Sequence, residues 1–598
     1  MLTATALLAA AALSASGQQP VRLDTVRTTV SSRVSTGAAA ARTVDVISRR
    51  ELARRRGESL AQVLAAHLGV DVYTRSPAQA DLALRGSSID QVLVLVDGHR
   101  VSDQQTGHFN LDLAVPMDLV DHIEILRGTG STLYGPDAVG GVVNIVTRGH
   151  PASQAARVSS GSFGTLGASL ARTGALGPFD TQAGVDFARS DGHRNDTDYR
   201  VLQGRAAAGT AVGAGRLHGA VGIGVRDFGA AQFYAPYPSY EDTHTSTAQL
   251  DYQAPLGTRW TVSSSASGRR HVDLFTLIRD NPGVYQNHHD NWQTGGNVTV
   301  RYAPSDDAGV AFGTEAFDAR LVSNSLGDRD ETRTAAFAEV HVGSPTRTSV
   351  NLGVRGDHSS VYGDFLSPSA AASVMVAPRA RLRASIGRGF RAPTWTDRFY
   401  VDPGNIGNPD LQPERFWAGE LGVNVALHAQ AHLDVALYQR NADNLIDWAR
   451  PAGSPDSVPW HTLNVESARY RGVEATLGGA HAAGLDWTLR ASGLRFEPVG
   501  DSGFEGKYAL RPITRTIGGT ASLPRTHGVD ATLDILSARR AGEDGYFRAD
   551  LRLGYTWRAT RFTVDLRNLT GADYLDASGQ PVAGRGAYVG LAWAAVGN

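Results

Sequence analysis

The sequence predicts a transmembrane β-barrel of about 22 antiparallel strands filled by an N-terminal α+β domain, and three observations predict it. No run of 18 or more apolar residues follows the first residues, so a helical span has no support. From about residue 154 onward, segments of roughly ten residues alternate in polarity between turn residues. Residues from about Thr43 to Thr147 follow a different pattern and read as a compact unit of their own.

The chain has 598 residues, beyond what a single soluble core usually reaches. It contains no cysteine, which excludes thiolate metal sites, disulfides and cysteine catalysis. Its 57 basic and 59 acidic residues nearly cancel, leaving no nucleic-acid footprint, and Lys507 is the lone lysine. The 67 glycines, without a Gly-X-Y period, suit many tight turns. Residues 1–16 are rich in Ala and Leu and end in small residues, which reads as a secretory signal peptide without the usual basic leader.

Residues 17–42 form a linker in which Gln18 to Ala41 are small and polar, a composition that stays unstructured until captured. In residues 43–150, Ser59 to Leu68 has helical spacing behind Glu51 to Arg56. Val92 to Val96 is wholly apolar and stops at Asp97-Gly98, a hairpin signal, so it is expected to be a strand buried on both faces. Val120 to Leu126 and Gly141 to Val146 supply further strands.

Residues 151–598 carry the barrel pattern. In Phe547 to Trp557 the odd positions are apolar and end in aromatics, while Arg548, Asp550, Arg552 and Thr556 occupy even ones. Periodicity alone leaves two assignments open, a soluble sheet with the apolar face inside or a membrane barrel with that face outside. Short turns near Gly177, Gly213, Ser305, Pro345 and Pro378 alternate with longer polar or aromatic connections, the habit of outer-membrane barrels. A globular domain ahead of a barrel of this size leads to one architecture, a 22-stranded antiparallel outer-membrane barrel with an α+β plug in its lumen.

Several ordered motifs carry a resemblance. Leu23 to Thr29 resembles a TonB box, with Arg27 inside its usual apolar stretch. Leu84-Arg85-Gly86, Val92 to Gly98, Ile123 to Gly128 and Tyr134 to Thr147 are similar to plug motifs. Gly389 to Pro393, Asn408 to Glu414, Asn444 to Asp447, Arg471 to Glu474 and Asn568-Leu569 are similar to barrel motifs. The chain therefore resembles the TonB-dependent outer-membrane receptors, and within them the vitamin B12 receptors. The resemblance implies import of a large scarce ligand across the outer membrane of a Gram-negative-type bacterium. Cobalamin is favoured, and a ferric siderophore or other chelate is the alternative. It also implies TonB with its inner-membrane complex as partner, lipid around the barrel, and a monomer without enzymatic activity. TonB would capture Asp24, Thr25, Val26, Arg27 and Thr28 as an added strand. Arg85 and Arg127 in the plug would pair with Glu420 and Glu474 on barrel strands as a latch; the plainer assignment is arginines facing a hydrated lumen.

For ligand contact, Phe233, Tyr234, Tyr237 and Tyr240 fall in one inferred external connection and Arg398, Phe399 and Tyr400 in another. His108 and Phe109 are expected at an exposed plug apex. The competing assignment of each tyrosine is the interfacial aromatic girdle. His271, His288 and His289 are expected in or beside one loop, with solvation favoured over a metal. No resident cofactor is implied; Asp191, Asp196 and Asp198, with Asn195, are weak calcium candidates lacking an EF-hand spacing. H-E-x-x-H, G-x-S-x-G and P-loop motifs are absent, against an enzyme. A passive, substrate-specific porin is the remaining class, opposed by the plug and the box.

Overall fold

The computed structural model describes residues 30–34 and 41–596 apart from 77, 150–151, 234–235, 345, 429, 466, 481–483, 500–502, 508–510 and 577. Residues 1–16, Asp24 to Thr28 and Tyr234 lie outside the described residues.

The plug opens with strand β1 (Val44–Ile47) and two short helices, α1 (Arg49–Arg54) and α2 (Leu60–Ala65). Ser59 caps α2, and its hydroxyl and the Gln62 side chain form a reciprocal capping box, which fixes where the predicted helix starts. Hairpin β2 (Val70–Ser76) and β3 (Gln79–Leu84) follows, then β4 (Val92–Val96), β5 (His99–Arg100), β6 (His122–Arg127), the single helical turn α3 (Ser131–Tyr134) and β7 (Gly141–Val146). Five of these make one sheet in the order β1-β6-β7-β4-β5, with β4 and β7 parallel. All of β4 is buried, as its unbroken apolar run requires, with Val94 and Val96 in one core cluster and Leu93 and Leu95 in another. The β4–β5 turn has Asp97 at φ 53 and Gly98 at φ 85, the left-handed pair of a type I′ hairpin. Strand β6 starts two residues later than the sequence suggested, because Met117–Leu119 forms a 3₁₀ turn that carries the chain through Val120.

The barrel closes with 22 strands. Every neighbour is antiparallel, and the last strand, Gly586–Val596, pairs with the first, Ser153–Gly161. The open question of periodicity is resolved by burial. In Tyr546–Trp557, Phe547, Leu553, Tyr555 and Trp557 are exposed outward while Asp550 and Arg552 are buried toward the lumen. This is the inverted, membrane arrangement. Several strands run longer than the ten residues expected; Gln286–Ser305 has 20 residues. The sequence pattern marks the lipid-crossing part, whereas backbone pairing continues beyond it.

One rim carries the short turns and the other the long connections. On the latter side, pieces of three connections assemble into a further five-stranded sheet, Val401–Asp402, Asn405–Ile406, Trp460–Val465, Leu445–Pro451 and Phe504–Gly506. Helix α4 (Trp395–Phe399) lies in the first of these connections.

Candidate functional site, the plug interface and its external face

Arg85 sits on a turn at φ 52, followed by Gly86 at φ 72. Left-handed backbone is uncommon for a residue with a Cβ, and here it aims the guanidinium at the wall. Nη2 and Nε of Arg85 donate to Glu474 Oε2 at 2.7 and 3.1 Å, and Nη1 donates to Glu420 Oε2 at 2.7 Å. Its other face lies 4.2 Å from the Tyr438 ring centroid. Arg127, at the end of β6, donates to Glu474 Oε2 at 3.0 Å and pairs with Asp45 of β1. Thr43 bonds to Glu420, and Arg383 lies 3.4 Å from the same carboxylate. The structure thus brings Arg85, Arg127, Glu420 and Glu474 into one buried cluster. Burial works against both charges, but Glu474 and Glu420 hold Arg85 above its ordinary pKa, and Asp45 and Glu474 do the same for Arg127.

A second set of contacts was missed by the sequence reasoning. On the opposite wall the polarity reverses, with plug aspartates meeting barrel arginines. Asp97 accepts from Arg205 at 2.8 Å, Asp103 from Arg269 at 2.7 Å and Asp112 from Arg226 at 2.9 Å. Elsewhere Asp71 accepts both Arg540 Nη groups at 2.8 and 2.9 Å. A third group links Arg55 to Glu58 at 3.3 Å and to Asp534 at 3.1 Å, with Arg552 on Asp534 at 2.5 Å and on Glu58. The available signal was the inward parity of Arg205, Arg226 and Arg269 on their strands.

The apex is roofed. The Trp395 N–H donates to Gln104 O at 2.9 Å and the Thr396 N–H to Gln105 O at 3.0 Å, so α4 lies on the plug. Phe109 is 2% exposed, not presented outside, and packs on the ring of His271 of the barrel wall with centroids 4.6 Å apart. His108 is partly buried with Nδ1 2.8 Å from Asp81. A segment with open backbone groups and an apolar ring gains most by being covered, which explains the departure from the exposed apex.

Phe233 also departs from expectation. It is 7% exposed and packs with Phe228, Ala78 and Ala230, because an apolar ring in that connection finds a core beneath it. Tyr237 is exposed. Tyr240 begins a strand, with Arg279 4.3 Å above its ring. Phe399 lies between two guanidinium groups, Arg329 at 3.8 Å and Arg398 at 4.7 Å from its centroid. Arg398 also donates to Pro409 O at 3.2 Å, and Tyr400 stands edge-on to Trp448. Two further tyrosines lacked any loop motif: Tyr546 and Tyr574 stack at 3.6 Å beside a cavity of ≈ 430 Å³. That cavity lies between α2 and the wall and reaches His193, Tyr199 and Val582.

His271, His288 and His289 lie beside one loop, on the two barrel strands that flank it; His271 is fully buried, not solvated, and its Nδ1 lies 2.9 Å from Thr245 Oγ1. Of the calcium candidates, Asp198 accepts two bonds from Arg279 at 2.5 and 2.9 Å and Asp196 lies 3.9 Å from the same group, so a guanidinium stands at their oxygens. Among the described residues, no group of three or more His, Asp or Glu converges on a metal position.

A closed membrane barrel with a plug fixed inside by buried ion pairs defines a plugged outer-membrane receptor. Comparison with known proteins agrees: the TonB-dependent receptor plug domain matches residues 37–142, and the TonB-dependent receptor-like β-barrel matches residues 178–569. The chain belongs to the TonB-dependent receptor family, whose place is the outer membrane of Gram-negative bacteria. It is similar to the Vitamin B12 transporter BtuB of Photobacterium profundum, 27% identical over 467 residues and 73% of each chain. It is also similar to the Iron-regulated outer membrane virulence protein of Vibrio cholerae, 25% identical over 495 residues, 73% of this chain and 72% of that one. The siderophore receptor PirA of Pseudomonas aeruginosa has the same fold, with a TM-score of 0.74, 19% identity, and coverage of 92% of this chain and 99% of that one.

Proposed function

We propose that the protein imports cobalamin across the outer membrane, with TonB drawing on Asp24 to Thr28 to loosen the plug. One observation carries the energised step. The segment just downstream of the box is held to plug and wall together: the Val30 N–H donates to Glu124 of β6 at 3.1 Å, and the Arg33 N–H donates to barrel Glu339 at 2.8 Å. Arg33 also donates to Leu133 O at 2.8 Å. Residues 30–34 are thus held in place where their small, polar composition suggested an unstructured segment, since the Val30 and Arg33 backbone donors meet buried carboxylates and that of Val34 meets Ser32. Among the described contacts, a pull on the box reaches Glu124 first, and through it the central sheet. Asp24, Thr25, Val26, Arg27 and Thr28 are the TonB-binding residues of this reading, and Arg85, Arg127, Glu420 and Glu474 hold the plug at rest.

Cobalamin is supported by the relatives named vitamin B12 transporter. A ferric siderophore is the second reading, supported by the relative named iron-regulated and by siderophore receptors of the same fold. Tyr237, Tyr240, Arg398, Phe399 and Tyr400 offer rings and cations for either ligand, beside the roofed apex with His108. A passive porin is disfavoured by a lumen filled with a pinned domain. The test is equilibrium binding of purified protein to cyanocobalamin and to a panel of ferric siderophores, with uptake measured in cells. Tight cyanocobalamin binding and uptake lost on deleting residues 24–28 are expected. Siderophore binding without cobalamin binding moves the ligand, and uptake indifferent to the deletion removes the TonB step.

A further inference from the structure

Strand β6 begins with a histidine held between two acids. The period of two along a strand places His122 and Glu124 on one face, and Asp121 lies beside them just ahead of the strand. His122 Nδ1 is 2.7 Å from Asp121 Oδ2, and Nε2 is 3.4 Å from Glu124 Oε1. Arg49 of α1 pairs with the other oxygen of Asp121 and donates to Gly149 O at 3.0 Å, just before the chain enters the barrel at Ser153. The ring therefore stands at the short-turn end of the plug, where its side chain keeps 14% exposure and protons reach it.

Those two contacts fix the proton count of the ring. A carboxylate oxygen offers only lone pairs, whereas a neutral imidazole carries one N–H and one lone pair. Bonding both acids takes the imidazolium, which donates from both nitrogens. With one proton lost, the remaining N–H stays on the shorter contact to Asp121, and the bare Nε2 faces Glu124 lone pair to lone pair. Glu124 matters because its second oxygen holds the chain just below the box: Oε2 accepts from the Val30 N–H and from Asn144 Nδ2, both at 3.1 Å. By fixing Oε1, His122 sets the direction of Oε2. The other titratable groups around this contact are Arg49 on α1, Tyr134 on α3, Arg42 ahead of β1, and Arg33 and Glu339 where residues 30–34 meet the wall. Imidazole is the side chain whose ordinary titration falls between about pH 5 and 8.

We propose that His122 is a positioning residue for capture by TonB: its protonated ring orients Glu124 to hold Val30, and loss of that proton releases residues 30–34 from the sheet and frees the box. The hold is full below the imidazole titration and weakens as pH rises through it. The consequence for uptake rests on the TonB reading above, whereas the hold itself is a property of the receptor alone.

The test is the mobility of a nitroxide attached at Thr29→Cys, read by electron paramagnetic resonance on the purified full chain; the absence of native cysteine makes that label unique. Between about pH 5 and about pH 9 the mobile fraction should grow at least about threefold and return on acidification. His122→Gln, which carries no charge, should leave the label mobile at every pH. His122→Lys, a cation with donors for both acids, should keep it held at every pH. A merely structural histidine would be disturbed alike by both replacements. A label indifferent to pH with His122 intact overturns the proposal, whether or not the variants fold. A pH profile that survives His122→Gln, or a folded His122→Lys protein that still titrates, overturns it as well. Because this readout contains no TonB, it fails separately from the TonB reading, which stands or falls on uptake after deletion of residues 24–28.

Discussion

Two walls of the lumen hold the same plug with opposite chemistry. On the wall formed by Glu414–His428 and Ser467–Ala480, plug arginines meet barrel glutamates; on the wall formed by Tyr199–Val212, Gly215–Gly229 and Trp260–Thr276, plug aspartates meet barrel arginines, apart from Asp251 on the strand between, which takes plug Arg148 and His99. A single polarity would hold the plug in many rotational settings. With two, a plug turned about the barrel axis places Arg85 against Arg205 and Asp97 against Glu474. Like-charge contacts in a low-dielectric lumen are costly, so the reversal fixes orientation as well as attachment. The largest hydrophobic core lies within the plug, and buried apolar contacts with the wall come from smaller clusters around Val139 and Ala78.

The comparison can be broken in four ways. Arg205→Glu has the largest expected effect, setting a second carboxylate against Asp97; the plug should fail to seat, seen as rapid trypsin cleavage of the plug in folded barrels. A protease-resistant plug in that variant would end the orientation argument. Next, Glu474→Ala leaves Arg85 and Arg127 short of their shared partner, and the plug should detach about 3–5 kcal/mol more easily. Urea-dependent conductance in planar bilayers measures this, and an unchanged midpoint would show that the arginine wall is not an attachment. Third, Asp97→Ala should cost a similar amount, and the double variant with Glu474→Ala should be additive within about 0.5 kcal/mol, since the walls share no partner. Strong coupling in that cycle would mean that the walls act as one unit.

The smallest effect concerns Glu51 of α1, which lies 3.6 Å from Arg55 of the third contact group and 3.2 Å from His67. Burial pushes Glu51 up, but His67 and Arg55 outweigh it and hold the carboxyl at about 2. A depressed carboxyl stabilises the fold above its unfolded pKa of about 4.5 and loses that contribution as pH falls through about 2. Amide protection of α1 should therefore be flat from pH 7 to 5 and decline between about 4.5 and 2. Glu51→Gln should abolish that decline, and an identical acid profile in the variant would exclude this group as its source.

Much of this was legible in the chain. Alternation in Phe547 to Trp557 and the apolar run Val92 to Val96 state strand type locally, because side-chain period and burial on both faces are properties of a few consecutive residues. Asp97-Gly98 names its own turn for the same reason. Arg85, Arg127 and Glu474 stand within the motifs that carry the resemblance and Glu420 on an inferred barrel strand, so plug and barrel partners were paired across hundreds of residues through the resemblance. The aspartate wall was not found, since Asp97, Asp103 and Asp112 look like ordinary turn and loop residues until the register of three distant strands places arginines opposite them. Phe109 and Phe233 were misplaced because a loop residue's exposure depends on what folds over it.

The sequence by itself determined the 22-strand barrel, the α+β plug and the presence of one charged and one apolar face on the strands, all consequences of local period and turn chemistry. Only the tertiary structure decided which face of the alternation meets lipid, which charges pair across the lumen, and that α4 roofs the apex. Those outcomes depend on closure of the sheet, which brings together groups hundreds of residues apart, 479 in the case of Arg55 and Asp534, and no local pattern encodes such a meeting.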